Sequence, residues 1–360
     1  MVRKAVEVDC RLIDDDQPVY IVFEAGQTHQ GFEDAKHLID VAANSGADAI
    51  KFQMYDAERL IADDLPDRYS VLTPEGEVEE REELLVKTLK RKEFTKDEWK
   101  ELKAYADDIG ITFFSTFCFE EELDFLVSEL RVKLLKICSG DIDHYWLLEK
   151  AADTGLPVMI DTGSATLGEV ENAVDVLRRR GCCQIVINHC PSGFPADLSC
   201  VNLNMITTLR QMFRWPVAFS DHNMGVDMDI AAVALGANMV EKTITTDQFC
   251  QEPEHMVSMP VDLCGVFVER IRQVAQAMGR NRVAIASAAE LSGREAKRRG
   301  IYAKRDITAG ETLGRGDIEF RRPVCWVAAK HYRLVIGRKA TCDFFEGEGI
   351  DLDYLVSEDE

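Results

Sequence analysis

Long apolar runs are missing from this chain. No stretch of about 18 apolar residues, the length a membrane-spanning helix needs, occurs in it. Its first residues, MVRKAVEVDC, hold no apolar core of a secretory signal. The expectation is a protein that stays in the cytoplasm and off the membrane. A surplus of positive charge is missing as well: 42 basic residues face 64 acidic ones, a formal net charge of -22. Such a balance opposes general attraction to nucleic acid or anionic lipid, so a small anionic substrate needs a locally basic pocket. Cysteine pairs at zinc-finger spacing are absent too. None of the 11 cysteines forms a CxxC pair, and their scatter through segments such as KLLKICSG and CCQIVINHC reads as reduced thiols rather than a disulfide frame.

What the 360 residues do contain is a beat. Length alone suggests about two domains. Short β-rich runs occur at 19–26, 48–53, 111–116, 132–140, 156–163, 183–190, 216–221 and 237–242, and amphipathic stretches follow them. In FEDAKHLIDVAANSG the apolar positions 35, 38, 39 and 42 share one helical face, and Gly46 is a plausible stop. In LGEVENAVDVLRRRG, Thr166 is a good amino-terminal cap and arginines fill the last turn. Continuous apolar strands separated by helices imply a parallel sheet covered by helices. Eight such units predict a closed (β/α)8 TIM barrel over residues 1–280, with an open doubly wound sheet as the alternative. Residues 54–93 break the rhythm with an acid-rich insertion, placed to be either a lid or a surface excursion. A charged stretch at 281–298 reads as a linker, and 299–360 as a small β-rich second domain.

Polar residues crowd the carboxyl ends of the strands: Glu24, Lys51, Gln53, Ser115, Thr116, Lys136, Ser139, Asp141, Asp161, Thr162, His189, Ser220, Asp221, His222, Glu241 and Lys242. A single Ser or Asp after a strand usually caps the next helix. A whole ring of them marks the mouth where barrels of this kind carry their active sites. Lys51 and Lys136 lie within apolar strands, where an unpaired ammonium is costly. Their partners are either Glu24 and Glu241 or a ligand phosphate or carboxylate. The small-residue turn CSGD adds hydroxyl and N–H donors that can cradle a phosphate, so a phosphorylated carboxylic acid is a reasonable substrate.

At this point the residues resemble a family, the sialic acid (N-acetylneuraminate or nonulosonic acid) synthases. IVFEAGQTHQG looks like its first-strand motif and GADAIKFQ its second. FFSTFC, LLKICSGD and FSDHNMG are similar to its Ser-Thr-Pro-Phe, Lys-Ile-x-Ser-Gly-Glu and Ser-Asp-His-Thr elements, and YAKRDITAGETL with EFRRP resembles its antifreeze-like (SAF) domain. The resemblance implies condensation of phosphoenolpyruvate with an open-chain amino-hexose such as N-acetylmannosamine, releasing phosphate. A divalent metal, manganese or magnesium, would polarise the sugar aldehyde. It implies that Lys51, Gln53, Thr116, Lys136, Ser139 and Ser220 hold phosphoenolpyruvate, that Glu24 faces the aldehyde, and that Asp141 stands beside the reacting carbons. His222 would bind the metal. Arg322 would reach the sugar's acyl group from the partner of a domain-crossed homodimer.

The departures from the family pattern are specific. Thr243 stands where the second metal histidine is expected, which makes His255, beside Glu254 at the family's Asp position, the nearest substitute. Asp161 replaces a phosphate-binding serine, which leaves Thr162 and Ser164 to contact phosphate. Ser192 and Phe194 replace an Asn and a Tyr, which puts the acceptor sugar in question. The alternatives are a related sugar-acid synthase with another aldose acceptor, and a barrel that binds a glycan precursor without catalysis.

Overall fold

Eight short strands follow one another around a closed parallel ring: β1 (Tyr20–Glu24), β2 (Ala49–Gln53), β3 (Thr112–Thr116), β4 (Leu135–Ile137), β5 (Val158–Asp161), β6 (Ile185–His189), β7 (Val217–Asp221) and β8 (Met239–Thr245). Each pairs with the next. The pairing of β8 back onto β1, with Glu241 opposite Val22 and Thr243 opposite Glu24, closes the barrel and excludes the open-sheet alternative. This computed structural model describes residues 3–62, 65–279 and 287–357.

The strands are apolar through their middles because both faces are covered. Phe23, Phe52, Phe113 and Phe219 are buried, and Phe52 stacks on Phe113 with ring centroids 5.3 Å apart. Each such ring withdraws roughly 1.5–3 kcal/mol worth of apolar surface from water. Helices cover the outside as the sequence periodicity predicts. Phe32–Asn44 buries Ala35, Leu38, Ile39 and Ala42. Leu167–Arg179 starts at a capping box in which Thr166 and Glu169 satisfy each other's backbone N–H groups. Lys96–Ile109 opens on the equivalent box of Thr95 and Glu98 and stops at Gly110, whose φ of 85° suits glycine.

Two strands end three residues away from their expected carboxyl ends. The ladder of β4 is only three residues long, because Ser139–Asp141 curls into a 3-10 turn. β8 runs on to Thr245, carrying Thr243 into the ring. A ribbon of Val6–Val8 and Arg11–Ile13 lies at the amino-terminal end of the barrel, where Thr112 at the start of β3 donates to Asp9. The other end is therefore the one left for chemistry.

The 54–93 insertion forms an antiparallel ribbon, Pro66–Leu72 against Val78–Leu84. It is stapled to the loop after β8: Arg81 donates to Gln251, Gln251 to the Leu72 carbonyl, and Arg91 pairs with Glu252 at 3.1 Å.

The chain divides into two compact units, 1–279 and 280–360. Within the 281–298 stretch read as a linker, residues 281–286 fall outside the described part, and Ala288–Lys297 form a helix capped by Ser287 with no buried residue. The smaller unit pairs Gly300–Ala303 with Ile318–Arg321, and Lys339–Ala340 with Leu355–Val356, around Ile301, Leu313, Val335, Phe344 and Ile350. Among the described residues, no helix is long and apolar enough to cross a membrane.

Candidate active site

Strand register places the charges. Glu24 stands opposite Lys51 on β1 and β2, Thr116 opposite both Gln53 and Lys136, and Ser220 opposite Glu241. Side chains from all these positions meet in a cavity of about 300 Å³ at the carboxyl-terminal mouth. Five carboxylates, Glu24, Asp161, Asp221, Glu241 and Glu254, line it against two ammonium groups, Lys51 and Lys136.

The lysines are almost fully buried and share one counter-ion. Oε1 of Glu241 lies 3.0 Å from Lys51 Nζ and accepts a 2.7 Å hydrogen bond from Lys136 Nζ. Lys51 also pairs with Glu24, and Lys136 with Asp161 at 3.0 Å. Asn188 extends the network, donating to Asp161 at 2.6 Å and to Ser220 Oγ at 3.0 Å. Burial opposes every charge here, so the pairing decides which ones persist. Against burial, the two ammonium groups hold the Glu241 carboxyl down at about 2. Burial also works against the Lys136 ammonium, but Asp161 and Glu241 outweigh it and hold Lys136 above the ordinary lysine value. Lys51 is pulled below its ordinary value by burial and by the nearby charge of Lys136. Burial raises Asp161. Glu254 is partly exposed at the rim, yet close packing of its carboxyl lifts it by desolvation to about 7.

Two glycines make room for this arrangement. A Cβ on Gly26 would stand 2.6 Å from Glu24 Oε1 and 2.7 Å from the Gln53 backbone nitrogen. Without one, Gly26 N–H reaches Glu24 at 2.5 Å. A Cβ on Gly163 would meet Ser139 Oγ at 2.5 Å, where the Gly163 N–H now donates to that oxygen.

Of the residues expected from sequence, Glu24, Lys51, Gln53, Thr116, Lys136, Ser139, Ser192, Ser220, His222 and Glu254 all line the cavity. Four lie elsewhere. Asp141 directly follows the lining residue Gly140 but is not itself in the lining, and accepts from the Cys138 thiol at 3.0 Å. Thr162 spends its hydroxyl on the Asn188 carbonyl and faces a neighbouring pocket of about 420 Å³, where Ser164 and Ser192 are 2.8 Å apart. His255 is fully buried and directs Nδ1 to Thr245 Oγ1 and the Asp247 carbonyl, and Nε2 to Gln30, so it does not meet His222. Arg322 is exposed in the smaller unit. Sequence reasoning passed over Asn188 and Cys190, both inside an apolar run that gave no sign of which positions turn inward.

His222 stacks on Phe194 at 4.2 Å, and its Nε2 lies 3.8 Å from Cys190 Sγ. Burial, joined by Lys136, pushes its pKa down to about 4, so the ring stays neutral at pH 7. Among the described residues, His222 Nδ1 and Glu241 Oε2 are both buried without a hydrogen-bond partner. An imidazole nitrogen and a carboxylate oxygen lining one cavity are donors that manganese and magnesium accept, so the residues fit a divalent ion. Thr243, also in the lining, offers only a hydroxyl.

The model of the NeuB family matches residues 38–283, and that of the SAF domain residues 298–356. The chain belongs to the NeuB family. This NeuB-family chain is 36% identical to an uncharacterized protein of Methanocaldococcus jannaschii over 98% of its own length and 99% of that protein. It is 34% identical to the N,N'-diacetyllegionaminic acid synthase of Campylobacter jejuni over 91% of its length and 97% of that enzyme. Among solved structures it resembles the N-acetylneuraminic acid (sialic acid) synthetase of Leptospira borgpetersenii in complex with citrate. The TM-score is 0.71 at 30% identity, covering 81% of this chain and 95% of that one.

Proposed function

We propose that this NeuB-family chain condenses phosphoenolpyruvate with an N-acetylated hexosamine resembling N-acetylmannosamine, forming a nonulosonic acid and releasing phosphate. The observation that carries the reading is the pair of buried ammonium groups, Lys51 and Lys136, held ready at the barrel mouth by one shared carboxylate. An arriving phosphate or carboxylate takes over the positions of Glu241, Glu24 and Asp161 on those lysines. Ser220, oriented by Asn188, and Ser139, oriented by the Gly163 N–H, present hydroxyls to the same anion. Glu24, held by Lys51, Gln53 and the Gly26 N–H, faces the aldehyde as the enol carbon bonds to the aldehyde carbon, and the alkoxide so formed takes its proton from the water that adds next. Water then adds to the resulting cation and phosphate departs. Lewis-acid polarisation of the aldehyde is the chemistry that a divalent ion held by His222 and Glu241 supplies. The reading includes a cytoplasmic homodimer in which Arg322 of the partner subunit contacts the sugar's acyl group.

The test gives the protein manganese, phosphoenolpyruvate and a panel of N-acetyl-hexosamines with their 6-phosphates, and measures phosphate release. Release well above a Lys136→Ala control, abolished by a chelator, is expected. Release no greater than that control overturns the proposal.

One observation favours a related synthase with a different aldose: Phe194 lies flat on His222, where a tyrosine hydroxyl is expected from the resemblance. Mass spectrometry of the product separates the two acceptors. Tight phosphoenolpyruvate binding by calorimetry with no turnover on any aldose would instead mark a chain that binds a glycan precursor without catalysis.

A further inference from the structure

Away from the lysine network, the loops after β1 and β8 bring together a second set of donors. Cys250 Sγ, a Glu252 carboxylate oxygen and a ring nitrogen of His255 lie within 4.8 Å of one another. The side-chain nitrogen of Gln30 sits among them, 3.4 Å from Cys250 Sγ, 3.0 Å from Glu252 Oε2 and 3.1 Å from His255 Nε2. One atom within reach of a thiol, a carboxylate and an imidazole shows that the three donors converge on a point. An amide NH2 carries two hydrogens, so it cannot donate to all three. The point is rich in acceptors and suits a cation.

The imidazole is already set for ligation. His255 is fully buried, and its Nδ1 lies 3.1 Å from the Asp247 carbonyl and 2.8 Å from Thr245 Oγ1. A carbonyl oxygen can only accept, which fixes the proton on Nδ1 and leaves the Nε2 lone pair facing the convergence point. Metal-binding histidines are oriented by this kind of outer hydrogen bond.

We propose that Cys250, Glu252 and His255 form a zinc-type metal site, separate from His222, with the exposed Gln30 side chain turning its carbonyl oxygen inward as fourth ligand. Thiolate, imidazole and carboxylate together suit zinc or cobalt rather than magnesium or calcium. Ligand atoms around a tetrahedral zinc stand about 3.5 Å apart, so the three donors draw in by about 1 Å. Binding expels the Cys250 thiol proton to solvent. Glu252 also carries Lys92 on Oε2 at 2.5 Å and Arg91 on Oε1 at 3.1 Å, and Lys92 is tied to the His29 carbonyl. These cations compete with the metal for one carboxylate and lower its affinity. The ligands flank Glu254, which lines the active-site cavity, so an ion here clamps the rim that carries it. The proposal assigns His255 to this cluster and does not depend on the reaction proposed above.

The test uses the full chain stripped with a chelator and titrated with Co2+, following the thiolate-to-cobalt absorption band and, for Zn2+, calorimetry. A thiolate band is expected in the parent protein and in His222→Ala. It should disappear in Cys250→Ser, and zinc affinity should fall at least tenfold in His255→Gln. Cys250 is partly exposed, so its serine variant is the one to rely on if the His255 variant fails to fold. Absence of the band from the parent, its survival in Cys250→Ser, or its loss in His222→Ala overturns the assignment. None of these outcomes bears on phosphate release.

Discussion

Asp221 accepts a 2.5 Å hydrogen bond from Lys242 Nζ, the ammonium of the adjoining strand. The same ammonium donates to the Asn223 carbonyl at 2.6 Å and stands 3.6 Å from Asp229, while Asp221 Oδ1 receives the Asn223 N–H at 3.0 Å. The turn that carries His222 is thus fastened on both sides.

Removing that ammonium leaves two buried carboxylates without a counter-ion. Lys242→Met should cost about 3–5 kcal/mol in denaturant unfolding. Adding Asp221→Asn should restore part of the loss. A cost below about 1 kcal/mol would mean that the pair does not anchor the turn.

Asp161 competes with an incoming anion for Lys136. A carboxylate about 4 Å from a phosphate oxygen repels it by about 1 kcal/mol in water and about 4 at an effective dielectric of 20. Asp161→Ser should therefore tighten phosphoenolpyruvate binding about fivefold or more, measured by calorimetry. Weaker binding would show that Asp161 serves the ligand rather than opposing it.

Gly26 is required by contact rather than by backbone conformation. Gly26→Ala forces its Cβ against Glu24 Oε1 and the Gln53 backbone nitrogen, so Glu24 must move. A loss of about 1–3 kcal/mol in stability is expected. Phosphate release should fall by a larger factor than phosphoenolpyruvate affinity, because in the proposed function the displaced group faces the aldehyde. Equal falls in both would contradict that placement.

Glu83 fastens the insertion through Arg91 and the Tyr69 hydroxyl. The Arg91 hydrogen bonds hold its carboxyl at about 2, below the ordinary 4.5. The stabilisation is complete above pH 4.5 and is lost as pH falls towards 2. Proteolysis with an acid-active protease should cut the 66–84 ribbon increasingly over that window, and Glu83→Gln should be cut at every pH. Identical patterns in both proteins would remove Glu83 as the anchor.

The barrel and most of its mouth were legible because lysine and glutamate inside apolar strands have few explanations. Lys51, Lys136 and Glu241 announce a shared site in the sequence itself. Inward and outward positions were harder to tell. In INHC the polar pair Asn188 and His189 occupies adjacent positions of a strand covered on both faces, so apolar alternation gives no parity. The register settles it: Asn188 faces Asp161 and Ser220, while His189 turns to the Val201 carbonyl. Thr162 misses the cavity because its hydroxyl is turned to the Asn188 carbonyl, and Asp141 because its carboxyl is turned back to the Cys138 thiol. His255 depended on contacts with Gln30, 225 positions away, which local spacing does not encode.

The carboxylate shared by Lys51 and Lys136 makes anion binding an exchange rather than a capture. The protein carries its own occupant for the cationic seat, and that occupant returns whenever the seat empties. A ligand's measured affinity is then its advantage over Glu241, not its whole attraction to two ammonium groups. On the proposed reaction, released phosphate, a compact dianion with fewer further contacts than a phosphorylated acid, is the ligand such an internal competitor would displace most readily.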